Sequence, residues 1–417
     1  MRALVLAYII TLPLLQAAFF TLPLGKALVP SDLVFFALVL ALLVKRASWR
    51  WPSLRLCVAA ALPPTVMLLS ALSNDSSPVI AARETLRTTY SMFVLVVMAT
   101  LPGDERLGRE ITRTWCATSI LVCAIGLGAY LAVTLFGASE SSLARANSAN
   151  LGPGVVRISG LLPTNTLSLY LVVSAAFAIA LATRGESSWD RGLGRAALSS
   201  AVAVSTVSLS RGVLGLLVFL ALVAFCRDVA PRWLAKLRWP TAVAVTLLAG
   251  ATLVATWWAS FPIERVAGGE GWRLNWRHNA YRTLHLAGLR MFVAHPVAGV
   301  GPGAFGTRLA DFSSIGERSA SWPPVDASLN SISHSSWIGF LAEGGLPLFA
   351  AWIAVLALLI RHLFDSPAKG LQPLLGLALV GIAVNGLHVN FEHLKFIWAA
   401  AGLALCGGKA PGLARGD

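Results

Sequence analysis

A chain of 417 residues with 56% hydrophobic and only 12% charged residues, and a mean hydropathy of +0.72, is no ordinary soluble domain, where charge is about twice as frequent. It reads as an all-α integral membrane protein. The formal net charge of +14 is that of loops lying against anionic membrane lipid and gives no reason to invoke nucleic acid.

Apolar runs follow one another at 4–24, 30–44, 54–72, 88–101, 115–136, 161–182, 197–209, 213–226 and 240–262, then at 346–363, 371–387 and 394–406. They predict about twelve transmembrane helices, because a chain in lipid must satisfy its backbone polar groups internally. Several runs are shorter than the roughly 20 residues that a straight spanning helix wants. The first resembles a signal peptide, but no small-residue cleavage site follows it, so it is expected to be retained. The organisation predicted is a helical portion over 1–262, a large, partly helical external loop over 263–345, and three further helices with a tail over 346–417.

Lys and Arg gather in cytoplasmic loops, which tests this topology separately. With the N-terminus inside, the segments predicted to be cytoplasmic hold most of the 33 basic residues, among them Arg2, Arg106, Arg109, Arg113, Arg184, Arg191 and Arg361. Short outer loops hold few, among them Arg83, Arg87, Arg157, Arg211 and Lys395. Both termini are therefore expected in the cytoplasm, and the long loop outside, in the periplasm of a double-membraned bacterium. Cys57, Cys116, Cys123, Cys226 and Cys406 all fall in or beside predicted spans without a CxxC pair, which indicates neither a disulfide framework nor a zinc site. Trp233, Trp239, Trp257 and Trp258 flank the ninth span as interfacial anchors.

Polar residues that break the apolar pattern are the candidate functional ones. In VVRISGLLPTNTLSLYL, Arg157 precedes the sixth span and Asn165 enters it; a helix-capping role for Thr164 or Asn165 weighs equally with a binding role. In SLSRGVLGLL, Arg211 sits in a tight outer turn among Ser208, Ser210 and Gly212, where a guanidinium is costly unless it is paired or wet; interfacial snorkelling is its structural alternative.

The long loop carries seven arginines. Within it, 279–294 reads as a helix ended by Pro296, with Leu286, Leu289 and Val293 as its apolar stripe. Arg282 and Arg290, eight positions apart, fall within roughly 80° of each other on that helix, close enough to grip one diphosphate. GVGPGAFG lacks the Lys-Ser/Thr ending of a phosphate-cradling loop and reads as a turn that lets backbones approach closely.

NSISHSSWIGFLAEGGLPLF predicts a short helix with Ser333 as a cap, His334 in the first turn and Gly344-Gly345 as the stop. A histidine at the positive end of a helix is biased toward the neutral form that a general base requires. His278, His285, His295, His388 and His393 read as ordinary polar residues. The sequence has no DxD pair, HExxH or Walker motif, which disfavours a metal- or nucleotide-driven reaction, and no cofactor is expected.

SLSRG, Arg282 before AHPVAGVGPGAFG, and His334 before FLAEGGLP together resemble the O-antigen ligase and polymerase superfamily of bacterial envelope glycosyltransferases, with RISGLLPTN as weaker support. Ser335 departs from the pattern, since the family often has Asn there. The resemblance implies a GT-C-like membrane glycosyltransferase of the inner membrane. Its reaction would be transfer of O-antigen from undecaprenyl diphosphate to lipid A-core oligosaccharide. In that reading Arg211 and Arg282 stabilise the departing diphosphate, with Arg157, Arg265 and Arg290 as further contributors and Asn165 in substrate binding. His334 takes the proton of the attacking hydroxyl, giving inversion. An O-antigen polymerase, a protein O-oligosaccharyltransferase and, from another class, a flippase for lipid-linked oligosaccharide are the alternatives.

Overall fold

The computed structural model describes residues 1–14, 20–21, 27–44, 52–74, 77–137, 158, 161–208, 213–225, 263–265, 272–274, 280–313, 333–365 and 370–406. The described elements in chain order are α1 (Arg2–Thr11), the short strands β1 (Phe20–Thr21) and β2 (Ala27–Leu28), α2 (Pro30–Val44), α3 (Leu54–Leu72), α4 (Pro78–Ala99), α5 (Glu105–Phe136), α6 (Thr164–Arg184), α7 (Ser188–Val207) and α8 (Val213–Phe225). Then come β3 (Ile263–Arg265), β4 (Trp272–Leu274), α9 (Ala280–Ala294), α10 (Phe305–Phe312), α11 (Ser336–Asp365), α12 (Leu371–Asn385) and α13 (Lys395–Cys406). The protein is helical, and four helices, α3, α5, α6 and α11, are long and apolar enough to cross a membrane. The predicted ninth span, 240–262, and the four tryptophans beside it lie outside the described residues.

Several helices extend past the apolar runs that announce them. α4 starts ten residues before its run, with Pro78 pre-organised at the first helical position, so Arg83, Glu84 and Arg87 lie on the helix. α5 starts at Glu105, where the Asp104 carboxylate accepts the Arg106 N–H, and ends at Gly137 in a left-handed cap. α7 starts in a reciprocal capping box of Ser187 and Asp190. The first predicted span is corrected in the other direction. α1 ends at Thr11, just ahead of Pro13, which has no N–H to continue a helix, and Phe20 pairs with Leu28 in an antiparallel strand pair.

α6 is the central helix, with α5, α7, α8 and α12 packed around it, and it is buried without a break from Leu167 to Ala182. Trp115 of α5 stacks on Phe177, centroids 4.4 Å apart, and its indole N–H donates to Ser174 Oγ at 3.1 Å. α13 lies along α4, at a distance set by Gly402, where a Cβ would come within 2.5 Å of the Leu95 carbonyl. Such close small-residue packing is how helices associate where lipid is the solvent. Leu33, Phe36, Leu40 and Leu43 of α2 are exposed, an apolar face that suits hydrocarbon and not water.

Residues that the charge pattern places on one side come together. Arg2 bonds Glu110, Arg109 bonds Glu186, and Arg113 binds Asp190 through two bonds of 2.6 and 2.7 Å. They join the start of α1, the start of α5 and the α6–α7 junction. α4 runs from the opposite end of the bundle towards this cluster, and the site lies near its start.

Candidate functional site

AARETLR at the start of α4 places Arg83, Glu84, Arg87 and Thr88 on one side of the helix, being one, three and four positions apart. They line a cavity of about 430 Å3, together with Ser333, Phe340, Glu343 and Trp352 near and in α11 and Asn390, Glu392 and His393 between α12 and α13.

Glu84 is buried at the centre of this group. Its Oε1 accepts from Arg83 Nε at 3.1 Å and Arg87 Nη1 at 3.0 Å, and its Oε2 lies 3.3 Å from His393 Nε2. A carboxylate can only accept, so His393 Nε2 carries a proton and donates it to Glu84. Both guanidiniums remain partly exposed, so the mouth of the cavity is cationic.

The segment carrying His393 is tied down from several sides. Ser336 Oγ donates to Glu392 Oε2 at 2.6 Å and accepts the Phe391 N–H at 2.9 Å. Asn390 Nδ2 donates to Glu392 Oε1 at 3.1 Å, and the Trp398 indole donates to the Glu392 carbonyl at 2.8 Å.

α11 is kinked at Gly345, whose φ of 65° and ψ of −162° are closed to residues with a Cβ. The turn His295–Ala304 is threaded against this kink by backbone bonds from Val300 N to Ala342 O (2.8 Å), Gly301 N to Glu343 O (3.1 Å) and Leu346 N to Pro296 O (2.9 Å). Ser70 at the end of α3 donates to the Ala298 carbonyl at 2.6 Å. Gly303 donates its N–H to Glu343 Oε2 at 3.0 Å. At Gly299, with φ of 65°, a Cβ would stand 2.3 Å from the Glu343 carbonyl carbon. The glycines thus serve the close backbone approach read from GVGPGAFG.

His334 precedes α11, which begins at Ser336, and is the one non-glycine residue with positive φ among those described, at 52°. The expected cap is corrected by two positions: Ser335 Oγ accepts the Ile338 N–H at 3.3 Å, while Ser333 Oγ donates to the Ser335 carbonyl at 2.6 Å. His334 is therefore outside the first turn, and the helix-dipole argument for its neutrality does not carry over. It is half-buried between Ser333, which lines the cavity, and the helix start. Gly345, with its non-helical φ/ψ, ends the helix that opens at Ser336, and a second helix continues from it to Asp365, so the stop expected at Gly344-Gly345 is present as the break within α11.

Arg282 lies on the backbone of α9 and Arg265 on β3. The α9 stripe is also corrected: Leu284, Ala287 and Met291 are buried, whereas Leu289 and Val293 are exposed. Small Ala287 and Gly288 turn inward because a Cβ at Gly288 would meet Ile338 at 2.4 Å, so α9 meets α11 on its least bulky face. Arg290, on the outer face, donates to the Phe312 carbonyl at 3.0 Å. Asn165 is in the first turn of α6, where Pro163 holds the cap position, so neither Asn165 nor Thr164 is the cap. Ser208 donates to the Ser205 carbonyl at 2.9 Å. Arg157, Arg211, Ser210, Gly212, His278 and Cys226 lie outside the described residues.

Of the expected site residues whose side chains are described, Asn165, Arg290 and His334, none lines the cavity; His334 is next to a residue that does. Arg83, Glu84, Arg87 and His393 were not singled out. Their signal in the sequence is a pair of charge clusters, ARETLR and NFEHLK, each abutting an apolar run at its outer end. Among the described residues no three are arranged to hold a metal ion.

Fold and site define a helical protein with membrane-length apolar helices and a charge-lined cavity near one end of the bundle. No protein-family model matches the chain, and no curated protein matches it.

Proposed function

We propose that this protein is an O-antigen ligase of the bacterial inner membrane. It would transfer a glycan from undecaprenyl diphosphate to lipid A-core oligosaccharide on the periplasmic side, with both termini in the cytoplasm. The observation that carries the reading is the cavity at the start of α4, with Arg83 and Arg87 at its mouth and polar groups inside. By the charge pattern this is the outer end, where a donor with its tail in lipid presents its diphosphate.

Guanidinium groups bind phosphate oxygens in fixed geometry. As the glycosidic bond breaks, negative charge gathers on the leaving diphosphate, so fixed cations favour the transition state over the ground state. Arg83 and Arg87 add to Arg211 and Arg282, which the family resemblance assigns to the diphosphate, with Arg157, Arg265, Arg290 and Asn165 as further contacts. His334 takes the proton from the acceptor hydroxyl as that oxygen attacks the anomeric carbon.

A flippase is less well supported. Among the described residues, Val94, Leu95, Val97 and Met98 further along α4 are buried and apolar, so that stretch of the helix offers an anion no polar lining.

The test is transfer of O-antigen to core oligosaccharide by membranes containing the protein. Arg87→Ala, Arg211→Ala and His334→Ala should each lower transfer by ~10²-fold or more. Normal transfer by both Arg211→Ala and His334→Ala would overturn the site assignment. Accumulation of single repeats on core in a deletion strain, in place of long polymer on the lipid carrier, would indicate the polymerase.

A further inference from the structure

By its sequence α9 belongs to the external loop, yet its packing partners place it lower. α11 breaks at Gly345, and its first part, from Ser336 to Gly344, lies back against its second. Phe340 stacks on Trp352 with centroids 5.1 Å apart, and Trp337 meets Phe349 at 5.7 Å. The Trp337 indole also donates to the Ala383 carbonyl of α12 at 2.7 Å. Trp352 is six residues past Leu346, about 9 Å of helix, so the first part of α11 sits below the outer end of the second. α9 packs along that first part, where a Cβ at Gly288 would meet Ile338 at 2.4 Å.

Two further observations agree with that depth. The second part of α11 exposes Leu346, Ile353 and Phe364 on one face at helical spacing, an apolar stripe that suits hydrocarbon. Leu346 N donates to the Pro296 carbonyl at 2.9 Å, and beyond that bond the exposed apolar surface continues through Val297 and Val293 to Leu289, which are 71%, 76% and 43% exposed. The turn 295–304 has an irregular backbone whose polar groups find partners within the protein. Besides its three backbone bonds to α11, the Ala298 carbonyl accepts from both Ser70 and Asn74, and Gly299 N donates to the His295 carbonyl at 2.9 Å. Irregular backbone is tolerated at membrane depth only when the protein satisfies it in this way.

Charge selects the occupant of this surface. From Gly271 to Ala310 the chain has five arginines and no acidic residue, which suits contact with a membrane surface that carries anionic lipid. A second copy of the chain would bring like charge to the same place.

We infer that α9 and the turn after it are embedded in the outer leaflet of the bilayer, with Leu289, Val293 and Val297 in hydrocarbon and Arg290 at the depth of anionic phospholipid headgroups. The inference rests on the membrane reading and not on glycosyl transfer. The segment carrying Arg282 is then reached from lipid, which suits any substrate held in the membrane by its tail.

The experiment uses the full chain in vesicles of phosphatidylcholine and phosphatidylglycerol. An environment-sensitive fluorophore is attached at Leu289→Cys, Val293→Cys or Val297→Cys, with the native cysteines that react replaced by alanine. Ile353→Cys is the hydrocarbon reference, and Arg308→Cys, from the exposed Arg308–Asp311 pair of α10, is the aqueous one. Spin-labelled lipid should quench the three probes as it quenches Ile353→Cys, and iodide in the buffer should leave them bright. Iodide quenching as strong as at Arg308→Cys overturns the inference, because the segment then stands in water. Probes protected from both quenchers overturn it as well, because protein, such as a second copy of the chain, then covers the patch. Three positions keep the result independent of any one variant that fails to fold.

A second arm tests the headgroup contact. One arginine near a membrane surface enriches anionic lipid about fivefold, so spin-labelled phosphatidylglycerol should quench the Leu289→Cys probe more effectively than spin-labelled phosphatidylcholine by about that factor. Equal quenching by the two lipids, or a preference unchanged by Arg290→Gln, refutes the contact.

Discussion

Lys395 at the start of α13 and Asp32 in the first turn of α2 form a buried ion pair, with the two residues 8% and 1% exposed. Asp32 Oδ1 also accepts from the Tyr90 hydroxyl of α4 at 2.7 Å, and its Oδ2 from the Val29 N–H at 3.2 Å. Three groups thus meet on one carboxylate, locking α2, α4 and α13 together. Lys395→Met leaves the carboxylate buried with two neutral donors and no counter-charge, a change that costs about 3–5 kcal/mol. Adding Asp32→Asn removes the uncompensated charge while an amide oxygen still accepts from Tyr90, so the double variant should recover about 2–3 kcal/mol of that loss. Detergent-solubilised membrane proteins inactivate irreversibly, so the quantity to follow is the half-life of the monodisperse species at fixed temperature. Where these contacts break before the unfolding barrier, the recovery appears as a roughly 30- to 160-fold longer half-life for the double than for the single variant. A single variant that decays no faster than the parent, or a double that decays as fast as the single, would refute the reasoning.

The Arg113 guanidinium bound to Asp190 holds that carboxyl at about 2, below its unfolded value near 3.9. A depressed carboxyl stabilises the fold above the unfolded value and loses that contribution as pH falls through the folded one. Asp190→Asn should therefore cost about 1 kcal/mol at neutral pH, discounted for the half-exposed arginine, and the gap to the parent should close between pH 4 and pH 2 in acid-unfolding curves. Gly345→Ala forces a Cβ to within 2.5 Å of the Val297 carbonyl at a φ that costs roughly 1–2 kcal/mol by itself; faster amide exchange at Val300 and Gly301 is the expected readout, and unchanged exchange would contradict the clamp. Ser70→Ala removes the bond to the Ala298 carbonyl and should lower stability by about 1 kcal/mol in the same half-life assay. Arg83→Ala with Arg87→Ala should weaken donor use by more than either alone, read as KM for the lipid-linked substrate, and Arg→Lys should restore it only in part because the planar fork is lost.

Hydropathy makes the helices legible and blurs their ends for one reason: apolar runs report where the chain meets hydrocarbon or core, whereas a helix ends where its backbone finds a cap. Pro78, Asp104 and Ser187 are those caps or starts, and each lies outside the apolar run it serves. The α9 stripe shows the same limit at the level of packing. Two sets of residues at helical spacing were available, and the inward one was decided by how closely α11 approaches Gly288, which no single-element periodicity contains.

The cavity residues are not legible in the sequence because their partnership is long-range. His393 has no motif around it, and its distinction comes only from Glu84, more than three hundred positions earlier. The same separation explains what the pair does. Arg83, Arg87 and Glu84 alone would form a helix-surface ion cluster worth little. Once the segment 388–394 folds over it, Glu84 is shared between two guanidiniums of its own helix and an imidazole from the far end of the chain, and the cluster becomes a buried one that ties α4 to the α12–α13 connection.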